Sequence, residues 1–190
     1  LNMLEIRFHG RGGHGVKTSA QILGRAAYLA GFKVQDFSMY GAERRGAPVT
    51  SFVRFDKDEI KTRGYIFEPD IVVVLDDSLD FNRMLKGLKP NGYVVINRGS
   101  HPHFLGGKYK NRAFWINGTK IALEVIGKPI PNCVILGALV HLIKPITLEH
   151  LKKAIEMEFK GHMPEDIILK NKKAAELGYE SFKSRVRVNE

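Results

Sequence analysis

Cysteine is nearly missing from this chain. Cys133 is the only one, which excludes an internal disulfide framework and leaves no ligand set for an iron–sulfur cluster held by thiolates. The seven histidines lack the His-x-x-x-His spacing of a zinc site, and the pair His101 and His103 around Pro102 reads as a loop. No apolar run approaches the ~20 residues that cross a bilayer. No leader is visible either, because the stretch Leu4 to Phe8 is short and broken by Glu5 and Arg7. The expectation is a cytoplasmic protein with no membrane association. Repeats, low-complexity tracts and linkers are also missing, so residues 1–190 are expected to form one domain, a length sufficient for one well-buried core.

What the chain has in excess is positive charge. Thirty Lys and Arg against twenty Asp and Glu give a net charge of +10, a balance that favours anionic partners: nucleic acid, a polyphosphate cofactor or an acidic protein. The cations do not gather in one tail with interleaved aromatics, which counts against nucleic acid. Lys152, Lys153, Lys170, Lys172 and Lys173 fall where solvated helix faces are expected.

Apolar runs alternate with helical patterns, which predicts an α/β fold: a three-layer, Rossmann-like, mostly parallel sheet with a helical C-terminal third. Strands are expected at Leu4–Phe8, Lys33–Phe37, Pro48–Phe55, Asp70–Leu75, Tyr93–Asn97 and Asn111–Asn117. The Ile-Val-Val-Val-Leu run ending at Leu75 is typical of a strand buried on both faces. Helices are expected over Val16–Leu29, Ser78–Leu88, from Thr119 (as cap) to Ile126, over Cys133–Ile143 behind an Asn132 cap, and from Thr147 through Phe159. A last helix is expected from Glu165 to Leu177, closed by Gly178.

Three patches carry chemistry. The first is Gly10-Arg11-Gly12-Gly13-His14-Gly15, between a strand and a helix. It fits Gly-x-Gly-x-x-Gly, in which glycines accept positive φ and let a ligand approach the backbone, while unpaired amides and the helix dipole favour an anion. The second is the stretch from Ser38 to Pro48, where Arg44 and Arg45 stand between Gly41 and Gly46. In a doubly wound sheet it follows the second strand at the ligand-binding edge, and paired arginines suit phosphates or carboxylates. The third runs from Pro131 to Ala138. Asn132 there caps a helix or offers its side chain to a ligand, and Cys133 is expected as a buried small hydrophobe rather than a nucleophile.

Two other readings stand beside these. A free-standing NAD-dependent oxidoreductase would use Asp36, about 20 residues past the glycines, to hold the ribose, although no substrate domain follows. A basic nucleic-acid-binding module would use the net charge.

In this order and spacing the patches resemble the gamma subunit of the pyruvate (2-oxoacid):ferredoxin oxidoreductases, also found as an internal domain of single-chain forms. The likeness covers nearly the whole chain: Gly-x-Gly-Gly-x-Gly-Val at 10–16, Glu-x-Arg-Gly at 43–46, Asn-x-x-x-Leu-Gly-Ala at 132–138 and Gly-Tyr-Glu at 178–180. His14 departs from it, since many members carry Gln there. The resemblance implies a complex, with pyruvate synthase (pyruvate:ferredoxin oxidoreductase) as the expected one, that oxidatively decarboxylates a 2-oxoacid, forms acyl-coenzyme A and reduces ferredoxin. Thiamine diphosphate with Mg²⁺ and [4Fe–4S] clusters would sit on partner alpha, beta and delta (or fused) subunits. This chain would be inactive alone and would serve coenzyme A binding and assembly. On that reading Gly10, Gly12, Gly13, His14 and Gly15, with Lys17 and Thr18, cradle coenzyme A phosphates. Arg44 and Arg45 meet a phosphate or a partner subunit, and Asn132 adds a side-chain contact.

Overall fold

A computed structural model describes residues 3–39, 46–109 and 111–186. Strands β1 (Leu4–Arg11), β2 (Lys33–Ser38), β3 (Pro48–Asp56), β4 (Ile71–Val74), β5 (Tyr93–Asn97) and β6 (Ala113–Ile116) form one six-stranded sheet in the order β2-β3-β1-β4-β5-β6. Helices are α1 (Val16–Leu29), α2 (Phe81–Met84), α3 (Gly118–Ile126), α4 (Asn132–Leu142), α5 (Leu148–Phe159) and α6 (Glu165–Val186). The mostly parallel α/β sheet expected from the sequence is present. One strand differs: β3 lies between β1 and β2 and runs antiparallel to both, whereas β1, β4, β5 and β6 are parallel neighbours. The alternation within 48–56 identifies a strand without its direction, and a short connection from β2 allows only a hairpin-like return.

Side-chain alternation divides the strands between two layers. Ile6, Phe8, Ile71, Val73 and Val95 face the main core with α1, α4, α5 and α6. Val72, Val74, Val94 and Ile96 face the other way, against Met84, Leu85, Leu88 and Leu105. That second layer is thin. The helix expected over Ser78–Leu88 shrinks to the single turn of α2, capped by Asp80 through the Asn82 amide, and Gly87 lies flat against the Phe67 carbonyl.

Irregular backbone on this face is held by two buried arginines. Arg7 donates to the carbonyls of Ile66, Phe67, Met84 and Lys86 at 2.6–3.3 Å. Arg54, fully buried, donates to the carbonyls of Thr62 and Gly64 and pairs with Glu5 at 3.2 Å. These guanidiniums supply donors that a second helical layer would have made unnecessary.

Three helix ends differ from the sequence expectation. Asn117 rather than Thr119 caps α3, accepting the Lys120 amide. Asn132 is the first residue of α4 rather than its cap, a position Pro131 takes. The last helix does not stop at Gly178 but continues to Val186. Gly178 belongs to a close helix crossing: a β-carbon there would stand 2.0 Å from the Val134 carbonyl, and one at Gly137 would stand 1.9 Å from the Ala175 carbonyl. Thr147 caps α5 as expected, in a capping box with His150.

Candidate functional site: the glycine-loop cleft

The turn from β1 into α1 is shaped by glycine. Gly13 and Gly15 have φ of 97° and 74°, left-handed conformations that an L side chain resists. Gly15 occupies the N-cap of α1, so no side chain satisfies the first amides, and the first turn carries no acid. The amide of Ser19 reaches back to the Gly15 carbonyl at 2.8 Å. Those of Val16 and Thr18, ahead of it, have no protein acceptor among the described residues. Among the described residues, the positive end of α1 therefore opens on the cleft with no side-chain cap and no acid in its first turn.

Gly10 and Gly12 have other tasks. A β-carbon on Gly10 would stand 2.7 Å from Val16 Cγ2 and 3.2 Å from Leu75 Cβ, so this glycine lets strand and helix close together. The Gly12 amide donates to the Ala47 carbonyl at 2.9 Å and its carbonyl accepts from Gly46. The loop is thus tied to the entry of β3. This tie places Gly46 and Ala47, at the end of the Ser38–Pro48 stretch, beside the glycine loop. Arg44 and Arg45 themselves lie outside the described residues.

His14 turns away from the cleft. Its Nδ1 lies 3.6 Å from Asp76 Oδ2, and Arg11 Nε meets the same oxygen at 3.1 Å. Burial works to raise the Asp76 carboxyl, but hydrogen bonds from Ser78 and the charges of His14 and Arg11 outweigh it and hold it below its ordinary value. Asp76 therefore anchors the loop from the end of β4.

A cleft of about 960 Å³ opens beside this turn. Among its walls are Gly12, Gly13, Gly15, Lys17, Thr18 and Asn132, so six of the residues expected at the site share one concavity. Gly10 and His14 do not line it. Asn132, only 4% exposed, accepts the Cys133 amide with Oδ1 at 2.9 Å. Its Nδ2 packs so near Gly15 that a β-carbon there would come within 2.6 Å. Asn132 as a residue lines the cleft at this point. Sequence reasoning missed Lys128, Phe159, His162 and Met163, which complete the walls. Lys128 could have been suspected from its place just ahead of Asn132. Phe159 arrives from the end of α5, and His162 and Met163 from the α5–α6 connection, and they carry no local signal.

Asp36 does not reach this site. It pairs across from Val53, which pairs with Ile6, so it sits well before the glycine turn with β3 between. It lines a separate cleft of about 380 Å³ with Gly24, Arg25 and Tyr28. Burial there raises its carboxyl above the ordinary value, a shift that Arg25 opposes. The ribose-binding role required by a nicotinamide site has no geometric basis. Cys133 is buried, and burial pushes its thiol up to about 12, which suits a core residue. No group of three or more His, Cys, Asp or Glu able to hold a metal exists among the described residues, and none of their helices is long and apolar enough to cross a membrane.

Fold and cleft together define a mixed-sheet α/β unit of the glycine-loop kind. Residues 5–181 match the family Pyruvate ferredoxin/flavodoxin oxidoreductase, and the chain belongs to that family. The Pyruvate/ketoisovalerate oxidoreductases common subunit gamma of Pyrococcus furiosus is 43% identical over 182 residues, 94% of this chain and 96% of that protein. The crystal structure of pyruvate oxidoreductase subunit PORC from Thermotoga maritima has a TM-score of 0.78 at 37% identity, covering 94% of this chain and 96% of its own. A 2-oxoglutarate:ferredoxin oxidoreductase from Magnetococcus marinus, with 2-oxoglutarate, coenzyme A and succinyl-CoA bound, shares the fold: TM-score 0.78 at 24% identity, over 96% of this chain and 31% of its own. The gamma-subunit resemblance read from the sequence is borne out.

Proposed function

We propose that this chain contributes coenzyme A binding and assembly to a 2-oxoacid:ferredoxin oxidoreductase of the pyruvate synthase type. In that complex a 2-oxoacid and coenzyme A become acyl-coenzyme A and CO₂, and ferredoxin takes the electrons. The observation that carries the reading is the meeting, in one cleft, of a helix start that has no side-chain cap and no acid in its first turn with the buried side chain of Asn132. Coenzyme A needs both kinds of wall that the cleft offers. Its phosphates suit the α1 amides, Asn132 Nδ2, Lys17 and Lys128. Its less polar arm suits Ile126, Ile130, Phe159 and Met163. The coenzyme A bound in the Magnetococcus marinus enzyme, whose fold includes this one, supports the assignment.

Thiamine diphosphate with Mg²⁺ and [4Fe–4S] clusters belong, on this reading, to the alpha, beta and delta (or fused) partners. With one cysteine, this chain does not fit a thiolate-held cluster. Its own residues bind and orient the thiol substrate and break no bond. The cytoplasm, where ferredoxin-linked metabolism is expected, is the proposed location.

Asn132→Asp tests the cleft while keeping the acceptor for the Cys133 amide. It exchanges a donor for a negative charge facing the phosphate subsite. In the assembled enzyme the KM for coenzyme A should rise by about 10- to 100-fold, from the roughly 1.5–3 kcal/mol of a charge-assisted contact, with the KM for the 2-oxoacid unchanged. Lys128→Ala should shift the same constant in the same direction. Unchanged coenzyme A constants in both variants would remove the cleft from the reaction. Assembly is tested separately by recovering the tagged chain and assaying iron and thiamine diphosphate in what comes with it; a chain recovered without either would end the subunit reading.

A further inference from the structure

The second face of the sheet, opposite the layer that walls the coenzyme A cleft, carries a groove of about 530 Å³. Phe81, Leu85, Lys86, Gly87, Phe104 and Leu105 are among its walls. Phe104 is 51% exposed, and Phe67, on the neighbouring loop, is 74% exposed. Neither loop is loosely held. Arg7, itself 8% exposed, bonds the Ile66 and Phe67 carbonyls with one nitrogen and those of Met84 and Lys86 with the other. Gly87 completes the lock, since its missing β-carbon would stand 2.0 Å from the Phe67 carbonyl. Phe104 is fixed from another side, packing edge-on against Phe81 at 4.6 Å between centroids and lying beneath Arg98. An apolar groove and a water-facing phenyl ring are therefore presented on one platform.

Rigid aromatics that remain exposed lose little conformational entropy when covered, which is the property of interface anchors. The charge beside the groove specifies the covering partner further. Arg83 and Lys86 are exposed and have no acidic partner among the described residues. The one acid of the 78–89 stretch, Asp80, is engaged in capping α2. Two exposed cations without an ion-pair partner among the described residues, next to an apolar groove, complement a segment that is both acidic and apolar.

We propose that this groove docks an acidic segment with large apolar side chains from another subunit of the oxidoreductase complex. The proposal rests on the family membership but not on the coenzyme A cleft, which lies on the other side of the sheet. Wild-type and variant full-length chains carrying different tags, co-expressed with the remaining subunits, report relative incorporation directly. Phe104→Ser, and Arg83→Glu combined with Lys86→Glu, should each lower incorporation about tenfold. The chain with Arg83→Glu and Lys86→Glu should keep the wild-type melting temperature, because both side chains are solvent-facing, so its incorporation reads docking apart from any stability that Phe104→Ser loses with the Phe81 contact. Hydrogen exchange should slow at 65–67, 83–88 and 103–105 on going from free chain to complex.

Equal incorporation of wild type and variants, with those segments exchanging alike in both states, would overturn the proposal. So would unchanged incorporation accompanied by loss of binding to a single-stranded oligonucleotide, which would assign the patch to nucleic acid. The KM for coenzyme A in whatever complex forms should stay at the wild-type value, so failure of the groove and failure of the cleft are separately visible.

Discussion

At the scale of single residues, burial decides chemistry more than residue type does. His9 lies on β1 two residues from Arg7, whose Nε donates to His9 Nε2 at 3.0 Å. Burial first, and the Arg7 charge second, push the His9 imidazole down to about 3. The folded protein therefore holds His9 neutral where the unfolded chain, at an ordinary value near 6.5, would bind a proton. Between those values the unfolded state binds more protons, so stability rises with pH. The contribution is complete above about pH 6.5 and is lost as pH falls toward 3, with a slope of about 1.4 kcal/mol per pH unit. Urea midpoints of wild type and His9→Asn between pH 4 and 7 should diverge accordingly, the variant showing the flatter profile. Cys133 offers a second residue-scale test. With its thiol raised to about 12 and fully buried, it should resist a disulfide-exchange reagent in the native protein and react once urea unfolds the chain. Native-state labelling at the unfolded rate would contradict its place in the core.

At the scale of elements, the crossing of α4 and α6 governs the helical layer. Every residue of α4 from Asn132 to Val140 is buried, and α6 approaches it through Gly137 and Gly178. Alanine at either position would raise helix propensity by about 1 kcal/mol. It would also place a methyl group about 2 Å from a backbone carbonyl that has no side-chain freedom to yield. The clash dominates. Gly178→Ala should destabilise by at least about 1–3 kcal/mol, the ordinary cost of overpacking, read as a lower midpoint in thermal or urea unfolding. An unchanged or raised midpoint would mean that the helices separate freely. The same crossing explains why the helix end expected at Gly178 is absent. A glycine after an apolar periodic stretch is equally a terminus or a contact point, and only the opposing helix distinguishes them. Asn132 follows a similar logic: Pro131 takes the cap, which leaves the carboxamide to accept the Cys133 amide and pack against Gly15.

For the whole molecule, the sheet places two working surfaces on opposite sides. The glycine-loop cleft opens where α1, α4 and the α5–α6 connection meet, and the second groove lies over the thin layer built from α2 and loops. Arg7 links that thin layer to the sheet. Its replacement by Met would leave the buried carbonyls of Ile66 and Met84 without this donor, at about 1–3 kcal/mol each, and those of Phe67 and Lys86 to water. Arg7→Met should therefore lower global stability and raise hydrogen exchange around 65–67 and 84–87, with little change around the glycine loop. A uniform rise across the whole chain would instead mean that the two layers unfold as one.

The sequence by itself determined where the six strands and the helices α1, α4 and α5 fall to within a few residues, the glycine turn after β1, the Thr147 cap and the family to which this order of motifs belongs. Each is written in local periodicity, in left-handed φ at glycine or in side chains a few residues apart. Only the tertiary structure decided that β3 inserts antiparallel beside β1, that Asp36 is carried away from the glycine turn, and that His14 turns to Asp76 while Lys128 and Met163 close the cleft. The physical reason is that those outcomes depend on pairings between residues far apart in the chain, whose energies no local pattern records.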